Sequence, residues 1–319
     1  KIFVACYPGD LRDLRLCVAS IRHWYPDIPV YLIKDESRGR FSTRDLERGF
    51  GVRVYSRGRY GWGMGKLLPV VEEDSGRFLI LDADTIVMGR VLEKLNQRPE
   101  DFVVAGRHVS TYAPGEVERL YCREDQLCER DPAFTAPEYF FNTGHFVASG
   151  GILTKEDFRE WVDWGCLNGT LYPELFPCPD QHLLNFVLWR MRREGRLTLG
   201  YYDYDQWTMW PPLWKEKKEA YPDWRRSGDC RMIMHWAGLH SASLRDAVAS
   251  EVLLFYFDQY NHQMGHGPLM KTWRVQYAEH LARWLRIKLR AKMKISRFLR
   301  AAARSVPGQT RRGETAWKD

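Results

Sequence analysis

The alternation of apolar and polar residues opens with a short apolar run, Ile2-Phe3-Val4-Ala5-Cys6, which predicts a buried strand. Asp10 follows at the position of a helix cap, and Leu11, Leu14, Val18 and Ile21 recur behind it at helical spacing. Val30-Tyr31-Leu32-Ile33 predicts a second strand and completes a β-α-β start, the opening of an α/β sheet covered on both faces. A third strand is expected near Val52-Arg53-Val54-Tyr55, then a glycine-rich stretch from Gly58 to Lys66 and a helix from Leu67 to Glu73. The next strand, Arg77-Phe78-Leu79-Ile80-Leu81, runs directly into Asp82-Ala83-Asp84. Phe102-Val103-Val104-Ala105 and the stretch from Phe141 to Val147 predict two more strands, separated by a polar segment, 106–138, of little periodicity. Thr154 and Asp157 make a capping box for a helix containing Trp161. Asp180 starts a helix that runs to about Glu194 and ends at Gly195, and Met232-Ile233-Met234 predicts a strand that delivers His235. No internal repeat interrupts this order, so the expected fold is α/β with a mostly parallel central sheet flanked by helices.

Charge changes the picture at one end only. The formal net charge is +7, and residues 280–304 contain nine Lys or Arg and no Asp or Glu, so the excess belongs to that segment. Within it Trp284, Ile287, Ala291, Ile295, Phe298 and Ala302 form an apolar stripe on a cationic helix, which suits the headgroup region of an anionic membrane. Packing of that helix on its own globular domain is the alternative, and a nucleic-acid partner is not expected because no recognition motif accompanies the charge. The chain therefore divides into a globular domain over 1–245, a helical extension over 246–304 with the basic amphipathic helix, and a polar tail over 305–319.

The seven cysteines are scattered and include no Cys-x-x-Cys pair, which argues against a zinc module and a disulfide framework. Cys122 and Cys128 are the pair with bridging spacing in an oxidising compartment; a reducing cytoplasm fits the set better. No run of about twenty apolar residues and no signal-peptide pattern is present, so the expected location is cytoplasmic, peripherally associated with the inner face of a membrane.

The chemistry concentrates where strands end. Two carboxylates one residue apart after a buried strand stand at the carboxyl edge of the sheet, where α/β folds keep their ligands. They repel unless a cation lies between them, and their hard oxygens suit Mn²⁺ or Mg²⁺. An isolated Asp-x-Asp is commonplace; its placement is what makes this one a candidate metal site. His235, also at a strand end, offers a nitrogen ligand, although a strand-end histidine alone is more often structural. Asp180 and Gln181 stand at a helix start, able either to contact sugar hydroxyls or simply to cap. Lys66 could act as a point charge on phosphate, but the glycines before it match no Walker A or dinucleotide fingerprint. Gly144 serves either close backbone approach to a ligand or a turn. Aromatics in polar stretches, such as Tyr201 to Trp207, either face a sugar or cap the core.

Taken in order, Leu81-Asp82-Ala83-Asp84-Thr85, Phe141-Asn142-Thr143-Gly144, Asp180-Gln181-His182-Leu183-Leu184-Asn185 and Ile233-Met234-His235-Trp236-Ala237-Gly238 resemble the motifs of the GT-A fold glycosyltransferases. The similarity is greatest to the retaining group that includes bacterial lipooligosaccharide galactosyltransferases and the glycogenins, and it spans roughly residues 1 to 240. The resemblance implies that Asp82, Asp84 and His235 hold the metal with the donor diphosphate, and that Asp180 and Gln181 lie beside the transferred sugar, Gln181 near the anomeric carbon. Ala5, Tyr7 and Asp35 fall where such enzymes contact base and ribose. Ala83, Asn142, Gly144 and Gly238 complete the expected donor contacts, with Lys66 as the point charge on phosphate and His240 as the candidate substitute for the family's late lysine. One departure stands out: the family's Lys-Pro-Trp after its late His-x-x-Gly is replaced by Leu239-His240-Ser241-Ala242.

The implied activity is metal-dependent transfer of a hexose from a UDP-sugar to a glycan or lipid-linked acceptor, with retention of configuration. The competing expectations are an inverting GT-A transferase, a sugar-nucleotide pyrophosphorylase, for which Tyr7-Pro8-Gly9-Asp10 is a poor nucleotide loop, and a non-catalytic carbohydrate-binding protein. The aromatic segment 201–214 and the polar segment 106–138 are the candidates for acceptor recognition.

Overall fold

A computed structural model describes residues 1–266 apart from 62, 122, 208–210 and 240–242; the basic helix expected over 280–304, the polar tail and His240 lie outside the described residues. Among the described residues ten strands are formed: β1 (Ile2–Cys6), β2 (Val30–Asp35), β3 (Arg53–Gly58), β4 (Arg77–Asp82), β5 (Thr85–Met88), β6 (Phe102–His108), β7 (Tyr139–Ser149), β8 (Leu199–Tyr201), β9 (Asp205–Trp207) and β10 (Met232–His235). The helices are α1 (Leu11–Trp24), α2 (Arg44–Phe50), α3 (Leu67–Glu72), α4 (Val91–Leu95), α5 (Glu116–Leu120), α6 (Glu124–Arg130), α7 (Pro179–Arg193), α8 (Pro211–Ala220) and α9 (Ser250–Gln263). None of the described helices is long and apolar enough to cross a membrane.

Seven strands make the main sheet in the order β3-β2-β1-β4-β7-β6-β8. β3, β2, β1 and β4 are parallel, β7 runs antiparallel to both β4 and β6, and β8 is parallel to β6. A second sheet, β5-β10-β9, stands beside it. Alternation along β1 divides the core. Ile2 and Val4 pack with Leu14, Val18 and Ile21 of α1 on one face, while Phe3 packs on the other with a group that includes Leu183, Leu184 and Val187 of α7. α1 is buried nearly all round because α9 covers its outer side. There the Trp24 indole donates to the Tyr256 hydroxyl (2.9 Å), which donates to the Val87 carbonyl (3.2 Å). The helix beyond the 245 boundary thus lies directly against the second sheet and α1.

Four local expectations shift. The third strand begins at Arg53 and continues to Gly58, placing the glycine-rich stretch on the sheet's carboxyl edge. The capping box of Thr154 and Asp157 is present, but it caps a single 3-10 turn, Lys155–Phe158, and Trp161 lies beyond it. Segment 106–138 is not irregular throughout: it carries the end of β6, a 3-10 turn and the two short helices α5 and α6, anchored by buried Tyr121, Leu127 and Phe134. Helices of one or two turns have too few residues to show a period. Finally, neither Asp10 nor Asp180 caps a helix through its side chain; Asp180 is inside the first turn of α7, behind Cys178. The six described cysteines are free thiols, and Cys122 lies outside the described residues.

Candidate active site

The strand order reverses between β1 and β4, and ligands of open α/β sheets bind at the carboxyl ends of strands at such a switch point. The parallel register sets Ala5 beside Asp82, and the Ala83 amide donates to the Ala5 carbonyl (3.1 Å), tying the acidic turn to β1. The Thr85 hydroxyl closes the turn by donating to the Asp82 carbonyl (2.7 Å).

Antiparallel pairing of β10 with β5 then places His235 opposite Thr85. The Trp236 amide donates to the Asp84 carbonyl (3.0 Å), and the Gly238 amide donates to Asp84 Oδ2 (2.9 Å) from a turn in which Gly238 has φ of +80°. His235 Nε2 lies 3.3 Å from Asp84 Oδ1. One ligating atom from each of Asp82, Asp84 and His235 falls within 4.8 Å of the others. Gly144 of β7 makes this possible, since a Cβ there would stand 2.3 Å from His235 Cε1. Two carboxylates and an imidazole converging in this way fit a divalent cation of the Mn²⁺ or Mg²⁺ class.

Lys66 is buried behind the turn. Its ammonium reaches Asp180 Oδ2 (2.6 Å), Asp82 Oδ1 (2.9 Å) and the Thr143 carbonyl (3.0 Å). Three acceptors use all three N–H groups. Lys66, the lysine expected to meet phosphate, bridges the Asp82 and Asp180 carboxylates, and a phosphate contact would compete with one of these partners. Burial disfavours its charge, but Asp180 and Asp82 together hold its pKa above the usual lysine range. Asp82 is pushed up by burial, with Lys66 opposing and Asp84 adding to the shift. Burial acts on Asp84 in the same sense, yet the facing His235 and the Gly238 amide hold it below the usual range.

Along β7, Asn142 Nδ2 donates to Gln181 Oε1 (2.8 Å) and Asn142 Oδ1 accepts from the Gly144 amide (2.7 Å). Gln181 Nε2 donates to the Leu120 carbonyl (2.7 Å), so the start of α7 is linked both to β7 and to the end of α5. The Thr143 hydroxyl donates to Asp180 Oδ2 (2.8 Å). Gln181 and Asp180 thus meet the consecutive β7 residues Asn142 and Thr143, and both are oriented by second partners, the Leu120 carbonyl and Lys66.

Asp82, Asp84, Asp180 and Gly238 line a cavity of about 660 Å³ together with Ala5, Tyr7 and Asp35. Asp35 Oδ1 accepts from the amides of Ser37 (2.8 Å) and Tyr60 (3.1 Å), which shapes the turn after β2. The glycines of the 58–65 stretch make room here. A Cβ on Gly58 or Gly65 would run into the Tyr60 ring (2.6 and 2.8 Å), and one on Gly61 would meet the Asn168 carbonyl oxygen (2.0 Å). A separate hollow of about 490 Å³ lies at the opposite, amino edge of the sheet. Its Arg22 donates to the carbonyls of Phe50 and Ile28 (both 2.7 Å), a structural use of the guanidinium.

Sequence reasoning missed Asp10, Arg38, Tyr60 and Asn168, all of which line the same cavity. Asp10 is half-buried beside the Tyr7 hydroxyl; burial, then the charges of Asp84, Asp13 and Asp82, push its carboxyl from 3.8 up to about 8. Its position after β1, at the carboxyl edge of the sheet, was the available signal, but the helical period behind it suggested a cap.

No family model matches the chain, and no curated protein sequence matches it. Among solved structures, the WbbM bifunctional glycosyltransferase in its apo form aligns with a TM-score of 0.54 and 12% identity, over 88% of this chain and 51% of its own. This chain spans about half the length of that enzyme. The galactosyltransferase LgtC, in complex with donor and acceptor sugar analogs, aligns with a TM-score of 0.53 and 13% identity, over 82% of this chain and 95% of its own. At such identities the likeness is one of architecture, and it establishes that the chain has the GT-A fold.

Proposed function

We propose that this chain is a metal-dependent glycosyltransferase that moves a hexose from a UDP-sugar to a saccharide acceptor with retention of configuration. The observation that carries the reading is the convergence of Asp82, Asp84 and His235 at the switch point of a GT-A sheet, the two aspartates lining a cavity that Asp180 also lines. A divalent cation held by these three side chains supplies the positive charge that a departing diphosphate needs. The chain's own groups do the rest. Lys66 keeps Asp82 and Asp180 in place, and Asn142 fixes the Gln181 amide, so that both first-turn residues of α7 meet the transferred sugar in one orientation. Gln181 is uncharged and its amide is held at both ends, which suits support of developing positive charge at the anomeric carbon rather than proton abstraction. That is the argument for retention, with the acceptor proton passing to the leaving phosphate.

Ala5, Tyr7 and Asp35 serve the nucleoside, with Ala83, Gly144 and Gly238 shaping the diphosphate end. A glycan or glycolipid is the acceptor we favour, approaching over segment 106–138. Contact with an anionic membrane surface through residues 280–304 belongs to the same reading, as does a place on the inner face of a membrane.

The test is release of UDP from a panel of UDP-sugars, with and without Mn²⁺. Turnover or donor hydrolysis that depends on the metal is expected. Its absence with every donor would sink the proposal, and full activity in Asp84→Ala would remove the metal assignment.

A further inference from the structure

We infer that Arg38 is the side chain that meets the charged diphosphate of the donor; the inference rests on the glycosyltransferase reading and adds a residue to it. Among the described residues the cavity is lined by five aspartates, Asp10, Asp35, Asp82, Asp84 and Asp180, and by two cationic side chains, Lys66 and Arg38. A diphosphate entering this space adds more negative charge to an already acidic wall. Lys66 offers little against it, because its three N–H groups are taken by Asp82, Asp180 and the Thr143 carbonyl. Arg38 is the other cation on the lining.

Its placement matches the task. Arg38 sits on the exposed turn after β2, whose shape is set by the Ser37 amide donating to Asp35 Oδ1 (2.8 Å) and the Gly39 amide donating to the Glu36 carbonyl (3.1 Å). The guanidinium carbon lies 5.2 Å from the centre of the Tyr7 ring. That ring is folded back over Gly9, where a Cβ would stand 2.6 Å from it, so the surface under the guanidinium is itself fixed. The Tyr7 hydroxyl lies by Asp10, and both residues line the cavity together with Arg38, Asp82 and Asp84. Arg38 and Asp84 line the same cavity, so a planar fork that can present two parallel N–H donors opens onto the space a phosphate at the metal site would enter.

Calorimetric titration of the full chain with UDP and with uridine, both in Mn²⁺, tests the assignment on wild type, Arg38→Ala and Arg38→Lys. Because Arg38 is exposed, both variants should melt with the wild type. Arg38→Ala is expected to weaken UDP by about 10- to 100-fold and to leave uridine within about twofold, with Arg38→Lys recovering part of the loss. Unchanged UDP affinity in Arg38→Ala overturns the inference. So does an equal loss for uridine and UDP, which would make Arg38 a support for Tyr7 at the nucleoside. A wild-type chain that binds neither compound removes the glycosyltransferase reading and this inference with it, so the two failures are told apart.

Discussion

Gly144 illustrates what a single absent methyl does. It sits beside Asn142 on β7, and a Cβ would fall 2.3 Å from Cε1 and 2.8 Å from Nδ1 of the buried His235 ring. The neighbouring atoms are ring atoms packed in the core, so the imidazole itself would have to move. Gly144→Ala should leave the sheet intact but displace His235 from Asp84, lowering Mn²⁺ affinity by about 10- to 100-fold, read by electron paramagnetic resonance titration. Asn142 and Gly144 were legible as a pair in the sequence, but the reason for the glycine was not. It answers to a side chain that is far away in the chain and adjacent only across the β5-β10 pairing.

At the scale of the element, two segments carry charge that their own sequence does not balance. The β1-α1 turn holds Asp10, with its carboxyl raised from 3.8 to about 8, and α1 holds Asp13, raised by burial to about 6 despite its Arg12 partner. Between those values the folded chain keeps a proton that the unfolded chain releases. The contribution of these two carboxyls to the stability of the metal-free protein is full near pH 4 and falls as pH rises towards 8, by up to about 1.4 kcal/mol per pH unit for each such proton. His145 and His182, held low by burial, contribute with the opposite sign below the 6.5 of a free imidazole. Thermal melts in EDTA across that range check the slope, and Asp10→Asn should flatten it. The glycine-rich segment into α3 carries Lys66, an ammonium with 3% of its side chain exposed, between Asp82 and Asp180. Lys66→Met leaves two carboxylates facing each other without their counter-ion. It should cost about 3–5 kcal/mol in urea unfolding at neutral pH, and less under acidic conditions as the carboxylates take up protons.

Across the whole molecule the site is assembled by topology. β4 delivers Asp82 from the sheet's centre, and β5 leaves the acidic turn for a second sheet. β10 then returns antiparallel to bring His235 back against Asp84, while β7 and α7 close the other side. α9 extends this body by packing on α1, with Tyr256 between Trp24 and Val87. The membrane contact proposed for the basic segment 280–304 is tested separately from the cavity. A version of the chain truncated at Gln276 should lose sedimentation with anionic vesicles while keeping turnover on a soluble acceptor; retained vesicle binding would assign the membrane contact elsewhere.

Local pattern carried a good deal of this. Short apolar runs marked β1, β2, β4 and β7, helical spacing marked α1, the start at Asp180 and the stop at Gly195 marked α7, and the placing of Asp82-Ala83-Asp84 and His235 after apolar strands put both at strand ends. Such features are written in consecutive residues, because strand and helix periods depend on nearest neighbours along the chain. Partnership is not written there. That Lys66 serves two aspartates, that Asp10 faces the cavity instead of capping α1, and that Gly144 yields to His235 all follow from which strands lie side by side and in which direction. Burial supplies the energy for that arrangement, and it acts on surfaces that meet only once the sheets have formed.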